Sequence, residues 1–141
     1  MWKLSKEKQK QLIQEAVSAR ILRADVKISG YAVGAALLSA DGRIFSAGNI
    51  ECFGQTASIC AERAALFKAV SEGVCDFSAL AVCGGPKDQS LQDYCYPCGT
   101  CRQVLMQFCP DDMPVICIRT PEEWKIHLLK ELLPYAWKRQ L

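Results

Sequence analysis

The chain is short of histidine, of long apolar runs and of net charge, and each shortage removes a class of function. Its one histidine, His127, lies far along the chain from the residues singled out below, and is read as a surface or packed side chain outside any site. No apolar run approaches the roughly 18 residues that a membrane helix needs. The N-terminus also lacks the apolar segment of a signal peptide. These absences make the nine cysteines reduced thiols of a cytoplasmic protein rather than a disulfide framework, and their odd number agrees. A net charge of +2 is too balanced to announce a nucleic-acid partner. Lys3, Lys6, Lys8 and Lys10 read as a solvated helix face. There is no internal repeat, low-complexity tract or linker, so residues 1–141 are expected to form one domain with a substantial core.

Periodicity then supplies the elements. Ser5 caps a first helix running to about Arg23, with Leu12, Ile13, Ala16, Val17 and Ile21 on one stripe. Ala32 to Ser39 is a small, apolar, partly β-branched strand. It is followed by the hairpin signal Asp41-Gly42 and a return strand from Arg43 to Gly48. An irregular stretch from Asn49 to Ala57 leads into a second helix capped near Ser58 and closed by Gly73. Ala79 to Gly84 reads as a buried strand, Gly85 to Pro97 as a polar loop, and a third helix runs from the second cysteine cluster to Pro110. Val115 to Arg119 is another strand. Glu122 to Leu133 fits either one helix or a strand followed by a short helix. Alternation of strands with helices predicts a layered α/β domain with a mixed sheet.

What the chain does have is two compact cysteine clusters, Cys60-Ala61-Glu62-Arg63 and Pro97-Cys98-Gly99-Thr100-Cys101. Cys60, Cys98 and Cys101 offer three soft thiolates to one Zn2+, leaving the fourth tetrahedral position to water, the pattern of a catalytic site. Glu62 stands where a proton shuttle is wanted. The ligands are expected in the first turns of the second and third helices, where helix N-termini favour thiolate over thiol. Three thiolates over-neutralise a doubly charged cation, and Arg63 is expected to offset this by donating to the sulfurs, with Arg102 a second candidate. Other readings stay open. Cys95 could complete a structural four-cysteine zinc site, although that leaves Glu62 unexplained. An iron–sulfur cluster would draw on Cys109-Pro110, but the gap from Cys101 is too long for the ferredoxin pattern. A redox Cys-x-x-Cys is the third. Cys52, Cys75, Cys83, Cys109 and Cys117 read as small core residues.

Cys-Ala-Glu-Arg followed by Pro-Cys-x-x-Cys-Arg-Gln, ending at Arg102-Gln103, resembles the small cytidine deaminases over most of the chain. Val33-Gly34-Ala35-Ala36-Leu37-Leu38 is similar to that family's first strand, Asn49-Ile50-Glu51 to its ribose-binding Asn-x-Glu, and Glu131-Leu132-Leu133-Pro134 to its C-terminal signature. The resemblance implies a three-layer α/β/α sandwich with a central mixed sheet of about five strands, and hydrolytic deamination of cytidine or deoxycytidine, with Glu62 as proton carrier and the Ala61 amide orienting the reacting ring. It implies that Asn49 and Glu51 bind the sugar, that Tyr31 and Trp137 stack on the base, and that the chain forms a homotetramer with shared active sites. Three positions depart from the pattern: Ile28 and Gln55 stand where Tyr is usual, and Cys52 where Asn is usual. The loop Gly85 to Pro97 is also longer than typical. The tail and hairpin resemble blasticidin-S deaminase as well, a relative acting on a cytosine-containing antibiotic, but Glu51 is a carboxylate which that relative lacks. Cys rather than His at position 60 and the sugar motif argue against a polynucleotide-editing enzyme. An interaction module with a non-catalytic zinc would leave Glu62 without a purpose.

Overall fold

The computed structural model describes residues 4–138; Lys3 of the basic N-terminal segment lies outside them. Ser5 caps the first helix, α1 (Lys6–Arg23), its Oγ accepting from the Lys8 amide at 3.1 Å. Leu12, Ile13, Ala16, Ala19 and Arg20 are the buried positions. The expected stripe is wrong at its end: Ile21 is 69% exposed, and Arg20 takes the buried place. Position 20 lies four residues beyond Ala16 and so continues the inward row, whereas position 21 is rotated about 100° out of it.

The hairpin forms as expected, β1 (Tyr31–Ser39) pairing antiparallel with β2 (Ile44–Gly48) around the Asp41-Gly42 turn, where Gly42 has φ +93. Gly34 allows α1 to rest directly on the β1 backbone, since a Cβ there would come within 2.0 Å of the Ala16 carbonyl oxygen. A one-turn 3₁₀ helix (Gln55–Ala57) precedes α2 (Ala61–Ser71). The cap of α2 is Cys60 and not Ser58, whose Oγ instead accepts from the Cys52 amide at 2.8 Å. β3 (Phe77–Pro86) leads through the long loop to α3 (Gly99–Phe108) and then to β4 (Pro114–Thr120), which lies parallel to β3. The ambiguous C-terminal stretch is a strand, β5 (Glu123–Leu128), followed by a short helix, α4 (Leu129–Leu132). Alternation of Trp124 and Ile126 with Glu123 and Lys125 suits an edge strand covered on one face.

The sheet order is β2-β1-β3-β4-β5, with one parallel pair among antiparallel ones, and helices cover both faces. The strand period of two sorts the side chains between two cores. Ala35, Leu37 and Leu80 pack with Ala65 and Leu66 of α2 and Leu105 of α3. Ala36, Leu38 and Ala79 pack with Leu12, Ile13 and Ala16 of α1. The expected three-layer sandwich is therefore present. Cys83, Cys109 and Cys117 are buried as expected, but Cys52 is only half-buried and Cys75 is exposed. Both of these occupy connections outside the helices and strands rather than a packed element.

Candidate metal centre and its surroundings

Two helices begin at one place. Cys60 is the cap of α2 and Cys98 the cap of α3, each with extended backbone, and Cys101 lies in the first turn of α3. Cys60 and Cys98 thus sit one step before the expected first turns. A cap side chain leans over the unpaired amides that follow it, and the Cys98 Sγ accepts from the Cys101 amide at 3.5 Å. The three sulfurs lie within 4.8 Å of one another, with Cys60 and Cys98 at 3.7 Å. Four ligands at tetrahedral angles around zinc, with Zn–S bonds of about 2.3 Å, require sulfurs about 3.8 Å apart. The trio fits that ion.

Among the described residues no fourth metal donor joins them. Cys95 is buried in the wall beside Gly84, where a Cβ would meet the Cys95 Sγ at 3.0 Å and Tyr31 Cε1 at 3.1 Å. Cys109 is packed in the core behind α3. Neither the four-cysteine site nor the iron–sulfur reading gathers its ligands. Without metal, Cys60 carries the thiolate: its ionisation is pulled down to about 5, first by a hydrogen bond from Cys101 and then by Arg63 against the cost of burial. Cys101, the donor, is pushed up. Arg63 Nη2 donates to the Cys60 Sγ at 3.3 Å. Its Nε is buried with no partner among the described residues, on a side chain committed to the sulfurs of Cys60 and Cys101. Arg102 points elsewhere, to the carbonyls of Pro97 and Leu132.

Glu62 is 3% exposed in the first turn of α2. Burial raises its ionisation to about 7, and the Cys60 thiolate adds to the rise. Its own amide, the Cys101 thiol and Arg63 offset this only in part. A carboxyl poised near neutrality can both take and give a proton.

Among the described residues none of the other expected site residues hydrogen-bonds to the sulfurs. Asn49, just past β2, is engaged with β1: its Oδ1 accepts from the Val33 amide at 2.9 Å and its Nδ2 donates to the Tyr31 carbonyl at 3.0 Å. One Glu51 carboxylate oxygen accepts from the amides of Ile28 and Ser29, at 3.2 and 3.0 Å, which keeps the group ionised below its usual range. Glu51 Oε2 makes no hydrogen bond among the described residues. Both side chains therefore brace the turn into β1 while keeping part of their bonding capacity. Tyr31 stands half-exposed at the start of β1 beside Cys95. Trp137 is 70% exposed, held by its carbonyl through Gln103 Nε2 at 2.9 Å. Ala61 is fully buried at the first position of α2. His127 pairs into the sheet on β5 with its ring 5.8 Å from that of Tyr96.

Sequence reasoning missed Gly84, whose lack of a side chain leaves room for the Cys95 sulfur and the Tyr31 ring. The signal was a glycine pair closing an apolar strand, which marks a close approach. A cavity of about 650 Å³ lies on the opposite side of the sheet, between α1 and the long loop, lined by Val17, Arg20, Ile21, Leu91 and Pro121 among others. None of the residues expected in the site lines it. Shape and chemistry thus single out different places, and the buried carboxyl beside three convergent sulfurs decides for the cysteine cluster.

Comparison with known proteins gives four matches. The family described as the cytidine and deoxycytidylate deaminase zinc-binding region matches residues 6–117. A cytidine deaminase of Sporosarcina psychrophila is 41% identical over 129 residues, covering 92% of this chain and 90% of that protein. A blasticidin-S deaminase of Bacillus cereus is 32% identical over 111 residues, covering 76% and 77%. Among solved structures, the crystal structure of cytidine deaminase from Burkholderia pseudomallei superposes with a TM-score of 0.82 at 31% identity, over 95% of this chain and 100% of that one.

Proposed function

The chain belongs to the family of the cytidine and deoxycytidylate deaminase zinc-binding region, and from that premise we propose that it hydrolyses cytidine and deoxycytidine to uridine and deoxyuridine, releasing ammonia. The observation that carries this reading is the buried Glu62 beside three sulfurs spaced for zinc. Cys60, Cys98 and Cys101 would hold the ion, which when bound would supply Lewis-acid chemistry, bringing the ionisation of water down toward about 7.

The remaining work falls to the chain's own groups. Glu62 accepts the proton of the attacking water and delivers it to N3 of the ring, which makes C4 electrophilic. After the oxygen has added at C4, Glu62 takes the second proton from that oxygen and carries it to the departing amine, and the C4–N bond breaks as ammonia leaves and the C4 carbonyl forms. Its low exposure keeps bulk water from competing for that proton. The Ala61 amide, which no helical bond uses at the first position, orients the ring. Arg63 holds the Cys60 sulfur and offsets the excess negative charge of three thiolates. Asn49 and the free oxygen of Glu51 recognise the sugar hydroxyls, an amide and a carboxylate together offering both donors and acceptors. Tyr31 and Trp137 stack on the base.

The domain spans residues 1–141, acts in the cytoplasm, and assembles as a homotetramer with shared sites. The exposed Trp137 ring, held by its backbone, supports a role beyond its own core. Among the described residues no helix is long and apolar enough to cross a membrane. No polynucleotide is engaged: the charge is balanced and the site has a sugar-recognition pair.

A second reading keeps the chemistry and changes the substrate to a modified cytosine nucleoside or antibiotic. The blasticidin-S deaminase relative favours it, as do Cys52, Gln55 and the long loop entering the cluster. Offering cytidine, deoxycytidine and blasticidin S to zinc-replete protein, and following the fall in ultraviolet absorbance, separates the two. Rapid turnover of both nucleosides is expected; clear preference for the antibiotic would transfer the assignment to the second reading.

A further inference from the structure

Two side chains that directly follow the Cys101 ligand turn away from the sulfurs and grip the far end of the chain. Arg102 Nε donates to the Pro97 carbonyl at 2.7 Å, and its Nη1 donates to the Leu132 carbonyl at 2.6 Å. The Arg102 amide donates to the Cys98 carbonyl at 2.9 Å. One residue thus closes the turn carrying Cys98 and Cys101 from both its backbone and its side chain. Among the described residues Arg102 forms no ion pair, so its donors are committed to backbone carbonyls. Leu132 is the last residue of α4, where a carbonyl lacks a helical partner, and the guanidinium supplies one. Beyond it Pro134 stops the helix, and Tyr135 turns through a left-handed φ of +56. The segment then returns along α3, where Gln103 Nε2 holds the Trp137 carbonyl at 2.9 Å and Lys138 Nζ reaches the Cys109 carbonyl at 3.4 Å. Successive points of residues 132–138 are therefore tied to the middle and to the C-terminal end of α3.

We propose that Arg102 and Gln103 are positioning residues that make the C-terminal segment a strut of the metal site, Arg102 fixing the Cys98 turn against α4 and Gln103 fixing the backbone that presents Trp137. The proposal rests on the zinc-site reading above. Arginine is required because its planar fork reaches two divergent carbonyls at once, whereas the single ammonium of lysine serves one place at a time. Glutamine suffices at 103 because one carbonyl is held. Arg102 thereby governs the ligands, and Gln103 the exposed ring.

Zinc transfer to a colorimetric chelator tests the first half without any substrate. R102M and R102K should release zinc at least about tenfold faster than wild type, within the range seen when groups that orient metal ligands are removed, while Q103A releases it at the wild-type rate. Under steady-state turnover of cytidine, Q103A should raise KM several-fold and leave kcat within about twofold. Wild-type zinc release by R102K would overturn the role of Arg102, and an unchanged KM in Q103A would overturn that of Gln103. Hydrogen exchange on the wild-type chain covers the case in which Arg102 variants do not fold. Removing zinc should speed exchange at residues 97–102 and 133–138 far more than in β2, and an unaltered 133–138 segment would sink the strut. A wild-type protein that holds zinc but deaminates no cytosine nucleoside would defeat the functional reading, and the release and exchange results would still judge the clamp.

Discussion

Among the described residues each face of the sheet buries one charged side chain, and the two are treated in opposite ways. Behind the sheet, Arg20 is 7% exposed, and its guanidinium donates to the carbonyls of Ala32, Pro86 and Gln89 at 3.1, 2.7 and 3.0 Å. In front of it, Glu62 is 3% exposed and is left short of donors, with its ionisation pushed up to about 7. A buried charge held by several carbonyls ties structure together: Arg20 joins α1 to β1, to the end of β3 and to the loop that follows it. One that is under-bonded stores its desolvation cost as reactivity. The same degree of burial therefore means scaffold on one face and chemistry on the other.

Four experiments would break or sharpen that contrast. The largest effect is expected from Glu62→Gln, which should lower kcat by at least the 10²–10⁴-fold that a positioned acid/base contributes, with zinc content by metal analysis unchanged. Wild-type turnover in that variant would remove Glu62 from the mechanism. Arg20→Met should do the reverse, costing about 3 kcal/mol of stability in urea titration because carbonyls lose a buried charged donor. Its turnover should change far less than that of the Glu62 variant.

The third experiment is on the zinc-free protein and uses pH. Glu62 titrates at about 7 when folded against an ordinary value of 4.5. Between those values the folded chain keeps a proton that the unfolded chain has lost, so the Glu62 contribution is greatest below about 4.5 and is lost as pH rises to about 7. Cys60 acts oppositely, ionising at about 5 when folded against an ordinary 9.0, so its contribution grows as pH rises from 5 to 9. Zinc-free Glu62→Gln should consequently gain on wild type across pH 4.5–7, by as much as about 3 kcal/mol. Parallel denaturation profiles for the two proteins would show that burial does not strain the carboxyl. The smallest effect belongs to Arg63→Lys, which keeps the charge but loses the fork. It should lower kcat about tenfold with zinc retained, and a wild-type rate would show that charge alone suffices there.

Much of the arrangement is legible in the residues alone. The Ser5 cap, the Asp41-Gly42 turn and the period-two strands are local, and local rules read them correctly. The three cysteines are legible because thiolates and a carboxylate at such spacing have few uses. Ile21 misleads because amphipathic patterning assumes that an isoleucine outranks an arginine for a buried place. Three carbonyls from β1, the end of β3 and the long loop reverse that order, and no local window contains them. Cys60 and Cys98 fall one step before their expected helical turns because a cap is defined by backbone geometry rather than by residue type. Cys52 and Cys75 mislead because composition cannot tell a thiol in a core from one in a connection.

The order of residues by itself determined the layered α/β class, the three sulfur ligands and the acid beside them, since each follows from periodicity or from the chemistry of neighbouring side chains. Only the tertiary structure decided that Glu62 would titrate near neutrality, that Arg102 would be committed to the carbonyls of Pro97 and Leu132, and that α3 would hold the C-terminal segment. Each of these depends on what lies across a distance the chain covers only by folding, and burial and hydrogen bonding are properties of those meetings.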